Sequence, residues 1–374
     1  MNYELAKSWM TQILILLAAL FCALLVGAVF ILLAKSDPVK AYGVMFAGPF
    51  SSKFGISETL VRAVPLLLVG LGIIVSFRSG ILNIGAEGQI LIGAITASAA
   101  ATAFFHWPAV LLLPLVLLAG FAGGALWGGI AGWLKARLSV NEILSTVMLN
   151  QIAAQIYIFL IRGPLIDPQQ LSFGTRAPQT ALMPETIWLG RLIPGTRLHT
   201  GLILAVLLAV LLYVLLWRTT IGYRLRAVGA GPDAARYGGI RVEFYLVLAM
   251  VLAGALAGLA GTLEVLGVHH RALEEISAGY GFSGIVAALF GRLHPLGTVP
   301  AAVLFGALIL GADMMQRAVH IPAAIVMAVQ GLVILFVVSS DIFLRKPGYM
   351  RQILSSIFPK KPRVEDGEAR WKTS

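Results

Sequence analysis

In the stretch FRSGILNIGAEGQILIG, residues 77–93, Asn83, Glu87 and Gln89 stand among four glycines between two apolar runs. Amides both donate and accept hydrogen bonds, whereas a carboxylate only accepts. A carboxylate inside hydrocarbon costs roughly 2.5–3.5 kcal/mol on insertion scales, so it faces a cavity or a partner. Gly85 and Gly88 allow a helix break around Glu87. Broken helices are tolerated in a membrane where the freed backbone lines a cavity, as on solute paths. The alternative is structural: Glu87 pairs with Arg78 or caps a helix near the membrane surface. Glu142, Glu264 and Asp313 are further carboxylates within apolar surroundings, with Asn141, Asn150 and Gln151 nearby. Asn141 and Glu142 read as an N-cap followed by an acid in the first helical turn.

Other chemistries find little support. No G-x-x-x-x-G-K-[ST] phosphate loop exists in the sequence. VGAGPDAARYGG, residues 228–239, lacks the third glycine of a dinucleotide fingerprint and follows an apolar run rather than a strand. His269 and His270 with Glu274 and Glu275 offer ligand atoms, but adjacent histidines point apart, and a salt-bridged loop surface fits better. With Cys22 the single cysteine, neither a disulfide framework nor a thiolate metal site is possible. No nucleophile–base arrangement suggests an enzyme, and no metal or nucleic acid is called for.

The elements that must hold these residues are membrane helices. The 374 residues are 59% hydrophobic and 12% charged, against about 25% charged in an ordinary soluble domain. A span needs about 20 apolar residues. Candidates are 11–34, 59–77, 88–106, 109–134, 143–161, 201–217, 242–267, 297–316 and 322–343, with 280–291 as a shorter piece suited to a half-helix. The first run is too long for a secretory signal and ends in no cleavage site, so it reads as a retained span. About ten crossings put both termini on one side. Placing them inside collects most of the 28 basic residues on inner segments, as the positive-inside rule asks. The fold class is thus an all-α membrane protein. One transmembrane domain, 1–345, carries a basic inner loop, 218–241, and a polar cytoplasmic tail, 346–374; residues 349–358 of the tail are either a surface amphipathic helix or disordered. The outer loop 162–200 carries five prolines. Gly120, Gly124, Gly128 and Gly132 share one helix face, as do Gly254, Gly258 and Gly261, which suits close helix packing within the bundle or, less simply, a dimer seam. Polar breaks at 78–89 and 291–297, each after an apolar helix, hint at an internal repeat. Within the inner loop, Pro232 to Tyr237 has the proline-first, glycine-after form of a short helix.

FRSGILNIGAEGQILIGA, SVNEILSTVMLNQIA, TTIGYRLRAVGAGPDAARYGGI and GYGFSGIVAALFGRLHPLGTVPAAVLFGAL together resemble the permease subunits of nucleoside-type and simple-sugar-type ABC importers. These form the branch of the ribose and branched-chain amino-acid permeases that works with basic-membrane-protein-type lipoproteins. The likeness runs over about residues 58–343; one departure is Gly231, where members often carry a polar residue. It implies the helical fold of the cobalamin-type importers in a bacterial inner membrane. Implied partners are a second, similar permease in a heterodimer, two ATPase subunits that hold ATP and magnesium, and an extracytoplasmic solute-binding lipoprotein; the chain itself would need no cofactor. The match over 222–240 implies an ATPase-coupling helix drawing on Gly222, Arg224, Arg226, Gly229, Pro232, Ala235, Arg236 and Tyr237.

For a nucleoside, Asn83, Glu87, Gln89 and Asn150 are candidates to bind the ribose hydroxyls, and Phe77, Tyr280 and Phe282 to stack on the base. The expected activity is ATP-driven nucleoside import by alternating access. Alternatives are the same machine carrying a simple sugar, a purine base or a vitamin such as riboflavin, a proton-coupled transporter working through Glu87 or Asp313, and a non-transporting membrane scaffold.

Overall fold

The computed structural model describes residues 21–172, 177–322, 324–329, 331–332 and 335. The first ten positions of the 11–34 span, most of the 322–343 span beyond Val329 and the whole 346–374 tail lie outside the described residues. The chain divides into two compact units, Val29–Gln330 and the two ends outside it. All the elements from Pro38 onward described here belong to the first unit.

The described chain is helical: α1 (Phe21–Leu33), α2 (Pro38–Ala47), α3 (Lys53–Arg78), α4 (Ala86–Ala103), α5 (Ala109–Leu138), α6 (Glu142–Arg162), α7 (Pro168–Ser172), α8 (Gly201–Arg218), α9 (Thr220–Ala230), α10 (Pro232–Tyr237), α11 (Val242–Glu264), α12 (Tyr280–Phe290) and α13 (Pro295–Val319). Six of these are long and apolar enough to cross a membrane: α3, α5, α6, α8, α13, and α11 with the π-helical turn Val265–His269 that continues it. With 18 residues, α4 has the length but is diluted by Glu87, Gln89 and small side chains. The 11 residues of α12 span about 16 Å, half the roughly 30 Å of a hydrocarbon core.

Local signals set several boundaries. Asn141 Oδ1 accepts from the Ile143 and Leu144 N–H groups, at 2.9 and 3.2 Å, and starts α6. Ser52 Oγ accepts from Gly55 N–H at 3.0 Å, so α3 begins six residues before the apolar run alone suggests. Asp37 caps α2, an amphipathic helix in what reads as a loop by hydropathy.

Packing in the middle of the unit is glycine-mediated. Gly120, Gly124 and Gly128 of α5 face Gly254 and Gly258 of α11, and a β-carbon on Gly124 would lie 2.7 Å from Gly258 Cα. Gly261 meets α4 in the same way, 3.1 Å from Ala94 N. Both small-residue faces are therefore used inside one chain, where close backbone approach gives dense contact without a hydrophobic driving force.

Candidate solute path and coupling element

After Arg78 the chain leaves α3 through Gly80, at φ +82, and re-enters helix at Ala86. The amides close this break on itself. Asn83 Oδ1 accepts from Gly85 N–H at 2.9 Å, and Asn83 Nδ2 donates to Gln89 Oε1 at 3.1 Å. From α6, Asn150 Oδ1 accepts from Gly88 N–H at 2.8 Å while its Nδ2 donates to the Ile84 carbonyl at 2.9 Å. All three side chains are buried. They satisfy backbone groups at the start of α4 that the break leaves without helical partners.

Glu87 points elsewhere. It is half-buried, and its Oε2 accepts from Gly281 N–H at 2.8 Å. The carboxylate thus caps the N-terminus of α12, where the helix dipole favours negative charge. Arg78 is not its partner: the guanidinium donates through Nε to the Leu293 carbonyl at 3.1 Å and lies over the Trp217 ring at 5.4 Å. The structure therefore joins Asn83, Gln89 and Asn150 in one cluster and joins Glu87 to the segment beginning at Tyr280. Tyr280 is buried and Phe282 is half-exposed on α12. Phe77 is half-buried near the end of α3 and makes no ring contact with them among the described residues.

The coupling candidates form two short helices at the end of the unit that carries Arg78. Thr219 Oγ1 accepts from Gly222 N–H at 3.2 Å and starts α9; Gly222 is buried with its α-carbon side against the Leu216 backbone. Arg226 donates to the Leu216 carbonyl at 3.0 Å and covers Trp217 at 5.6 Å. Arg224 donates to the Tyr245 hydroxyl at 3.0 Å. Gly229 lies against the break itself: a β-carbon there would sit 2.8 Å from the Arg78 carbonyl carbon and 2.9 Å from Gly80 N. Pro232 opens α10, Ala235 is its buried face, and Arg236 pairs with Glu243 at 2.7 Å. Tyr237 is 97% exposed. A recess of about 580 Å³ opens between α9, α10 and Tyr245.

At the other end, the 162–200 loop packs on residues 266–274. Met183 N–H donates to the His270 carbonyl at 2.9 Å, and Trp188 stacks on His270 at 3.8 Å. The two adjacent histidines do diverge: His269 turns toward Glu264, 3.7 Å away, while Glu274 pairs with Arg162 at 2.7 Å. No group of three acids, histidines or cysteines among the described residues is placed to hold a metal. His199 is buried and accepts from Gly201 N–H at 3.2 Å, and burial pushes its pKa down to about 4. A cavity of about 270 Å³ lies beside Glu264. Around it, Arg62 pairs with Asp313 at 2.6 Å, and Arg197 grips both oxygens of buried Glu58, with Nε at 2.9 Å. Glu58 raises the Arg197 pKa further. Glu58, Arg62 and Arg197 are not evident as a site in the sequence. Their signal is an acid and a base one turn apart at the head of an apolar run.

The family model described as the permease component of branched-chain amino acid transport systems matches residues 55–338. The chain is 39% identical to a glucose ABC transporter permease protein of Haloferax volcanii, over 90% of this chain and 88% of that one. It is 36% identical to the guanosine ABC transporter permease protein NupP of Bacillus subtilis, over 88% and 94%. It is 33% identical to the nucleoside ABC transporter permease protein NupB of Lactococcus lactis, over 96% and 97%. The chain belongs to this permease family: it is a multi-pass membrane permease of an ABC importer, a transport subunit and not itself an enzyme.

Proposed function

We propose that this permease carries nucleosides by alternating access, driven by ATP hydrolysis in partner subunits that hold the nucleotide and magnesium. The observation that carries the mechanism is the seat of Gly229 on Arg78 and Gly80. It brings the basic α9–α10 element into backbone contact with the break that precedes α4. A push on α10, whose Tyr237 is free to enter a partner, reaches the break directly. From there it reaches Glu87 and the first turn of α12, through the hydrogen bond to Gly281. In this reading Asn83, Gln89 and Asn150 keep the break in shape, and Glu87, Tyr280, Phe282 and Phe77 stand nearest the moving solute.

A second permease completes the path. NupP and NupQ, both named guanosine ABC transporter permease proteins of Bacillus subtilis, are 36% and 32% identical to this chain, which supports a heterodimer. A solute-binding lipoprotein delivers cargo on the side of the 162–200 loop. In this reading the chain makes about ten crossings in the cobalamin-importer arrangement. Both termini are then cytoplasmic, and residues 346–374 form a tail on the 1–345 domain. Glucose is a second reading, favoured by the 39% identity to the Haloferax glucose permease. What guanosine and glucose share is a ring bearing neighbouring hydroxyls.

The test is uptake of labelled guanosine and glucose by proteoliposomes holding this chain with its companion permease and ATPase. Guanosine accumulation that requires ATP supports the reading. Accumulation driven by a proton gradient without the ATPase overturns it, and glucose accumulation without guanosine moves it to the second reading.

A further inference from the structure

The 270 Å³ cavity is used neither by the break nor by the coupling element. Four carboxylates line it, Glu58, Glu264, Glu275 and Asp313, and of these Glu58 and Asp313 are each held by an arginine. Glu264 is not. Its residue is 4% exposed and lines the cavity, yet among the described residues no donor lies within hydrogen-bond distance. The nearest basic atom, His269 Nε2, is 3.7 Å away. A carboxylate has about four acceptor sites, and one that faces a cavity without a protein donor is open to a ligand that brings its own hydroxyls. Glu264 therefore brings acceptors without a protein donor to a cavity that it shares with Arg62 and Arg197. Arg62 uses one N–H group on Asp313 and keeps others from its set of five.

We propose that this cavity is a solute subsite for the ring hydroxyls of a furanose or pyranose. Glu264 accepts from two neighbouring hydroxyls, Arg62 donates to a third oxygen, and Tyr280 forms the wall. The assignment rests on the reading that the permease carries nucleosides or simple sugars. Charge selects the class. The carboxylates of Glu58, Glu264, Glu275 and Asp313 outnumber the two arginines and repel an anion, while Arg62 and Arg197, each paired with a carboxylate, keep donors at the wall. A neutral polyol supplies donors and acceptors to both sets. Size agrees: 270 Å³ falls below the roughly 300–1,000 Å³ of drug-sized sites. It suits a sugar ring with the base of a nucleoside left outside.

Saturation-transfer NMR on the purified complex of this chain, its companion permease and ATPase reads such weak binding. The probes are inosine, its dideoxy analogue lacking both ribose ring hydroxyls, methyl glucoside and leucine. In the wild-type complex the ring protons of inosine and methyl glucoside are saturated, and the dideoxy analogue gives a signal at least about tenfold weaker, because it leaves Glu264 unpaired. Glu264→Gln removes that difference. Equal saturation of inosine and its dideoxy analogue in the wild-type complex, a comparison that needs no variant, overturns the subsite. So does leucine competing inosine away. If ATP-driven uptake of inosine persists in that case, the subsite alone has failed. If the complex accumulates neither nucleoside nor sugar, the transport reading fails and takes the subsite with it.

Discussion

Replacing Gly229 with alanine tests whether the seat between α9 and the break transmits motion. The added β-carbon would lie 2.8 Å from the Arg78 carbonyl carbon and 2.9 Å from Gly80 N. The Arg78 carbonyl oxygen would be nearer still; favourable contacts begin at about 3.5 Å, so one backbone must retreat by roughly 1 Å or more. Neither yields easily. Arg78 ends α3 and is tied to the Leu293 carbonyl, and Gly80 sits at φ +82, where a side chain would be strained. Overpacking of this kind costs about 1–3 kcal/mol, a factor of roughly 5–150 in a two-conformer equilibrium. The expected outcome is normal insertion and co-purification with the ATPase, continued ATP hydrolysis, and uptake per ATP reduced at least about fivefold. Hydrolysis and uptake are measured in the same proteoliposomes, with Gly43→Ala as the control, since nothing lies within 4 Å of a β-carbon there. Wild-type uptake per ATP in Gly229→Ala would refute the coupling seat.

Other perturbations read separate parts of the molecule. Tyr237→Ala removes a side chain that is 97% exposed; it should leave the melting temperature unchanged and weaken ATPase co-purification, and unchanged co-purification would exclude this tyrosine from the docking face. Gly124→Val forces a branched side chain toward Gly258 Cα, 2.7 Å from the position of its first carbon, and should lower the yield of folded protein in detergent through overpacking of about 1–3 kcal/mol or more. His199 is neutral in the fold, with its pKa pushed from 6.5 to about 4 by burial. The unfolded chain therefore binds the extra proton first: this contribution is fully present above pH 6.5 and is lost as pH falls toward 4, by up to about 3 kcal/mol. Thermal unfolding between those limits should be steeper in pH for the wild type than for His199→Gln, and equal slopes would disprove it.

What the sequence made legible was local. Asn141 is read as an N-cap because its partners are two and three residues away. Pro232–Tyr237 is read as a helix because proline and glycine punctuate both ends. The glycine repeats on α5 and α11 gave the packing face of each helix, but not that each faces the other. Partnerships across the chain carry no such mark. Glu58 and Arg197 are 139 residues apart, and nothing in composition links a loop arginine to the head of an apolar run. Asn150 reaches Ile84 and Gly88 across 66 and 62 residues. Read alone, Asn150 is a polar residue in a greasy helix, with solute and backbone equally plausible as partners.

The half-helix α12 shows why the remainder needed three dimensions. Its 11 residues carry one weak signal, insufficient length to span, and its role depends on what holds each end. At the start, Glu87 binds Gly281 N–H and Tyr280 turns into the charged cavity. Past its end, Arg292 and Leu293 adopt left-handed conformations at φ +57 and +51, and the Leu293 carbonyl receives Arg78. The two polar breaks that look like a faint repeat in the sequence are thus in direct contact, and Gly229 packs on the first of them. A short helix fixed at both ends to breaks moves as a unit when either break shifts, because packed elements rearrange between discrete positions rather than stretch. Glu87 is therefore placed where a change at the α9–α10 end alters the wall of the cavity at the other. That gives a physical reason for a carboxylate between helix-breaking glycines: it fastens α4 to the first turn of α12.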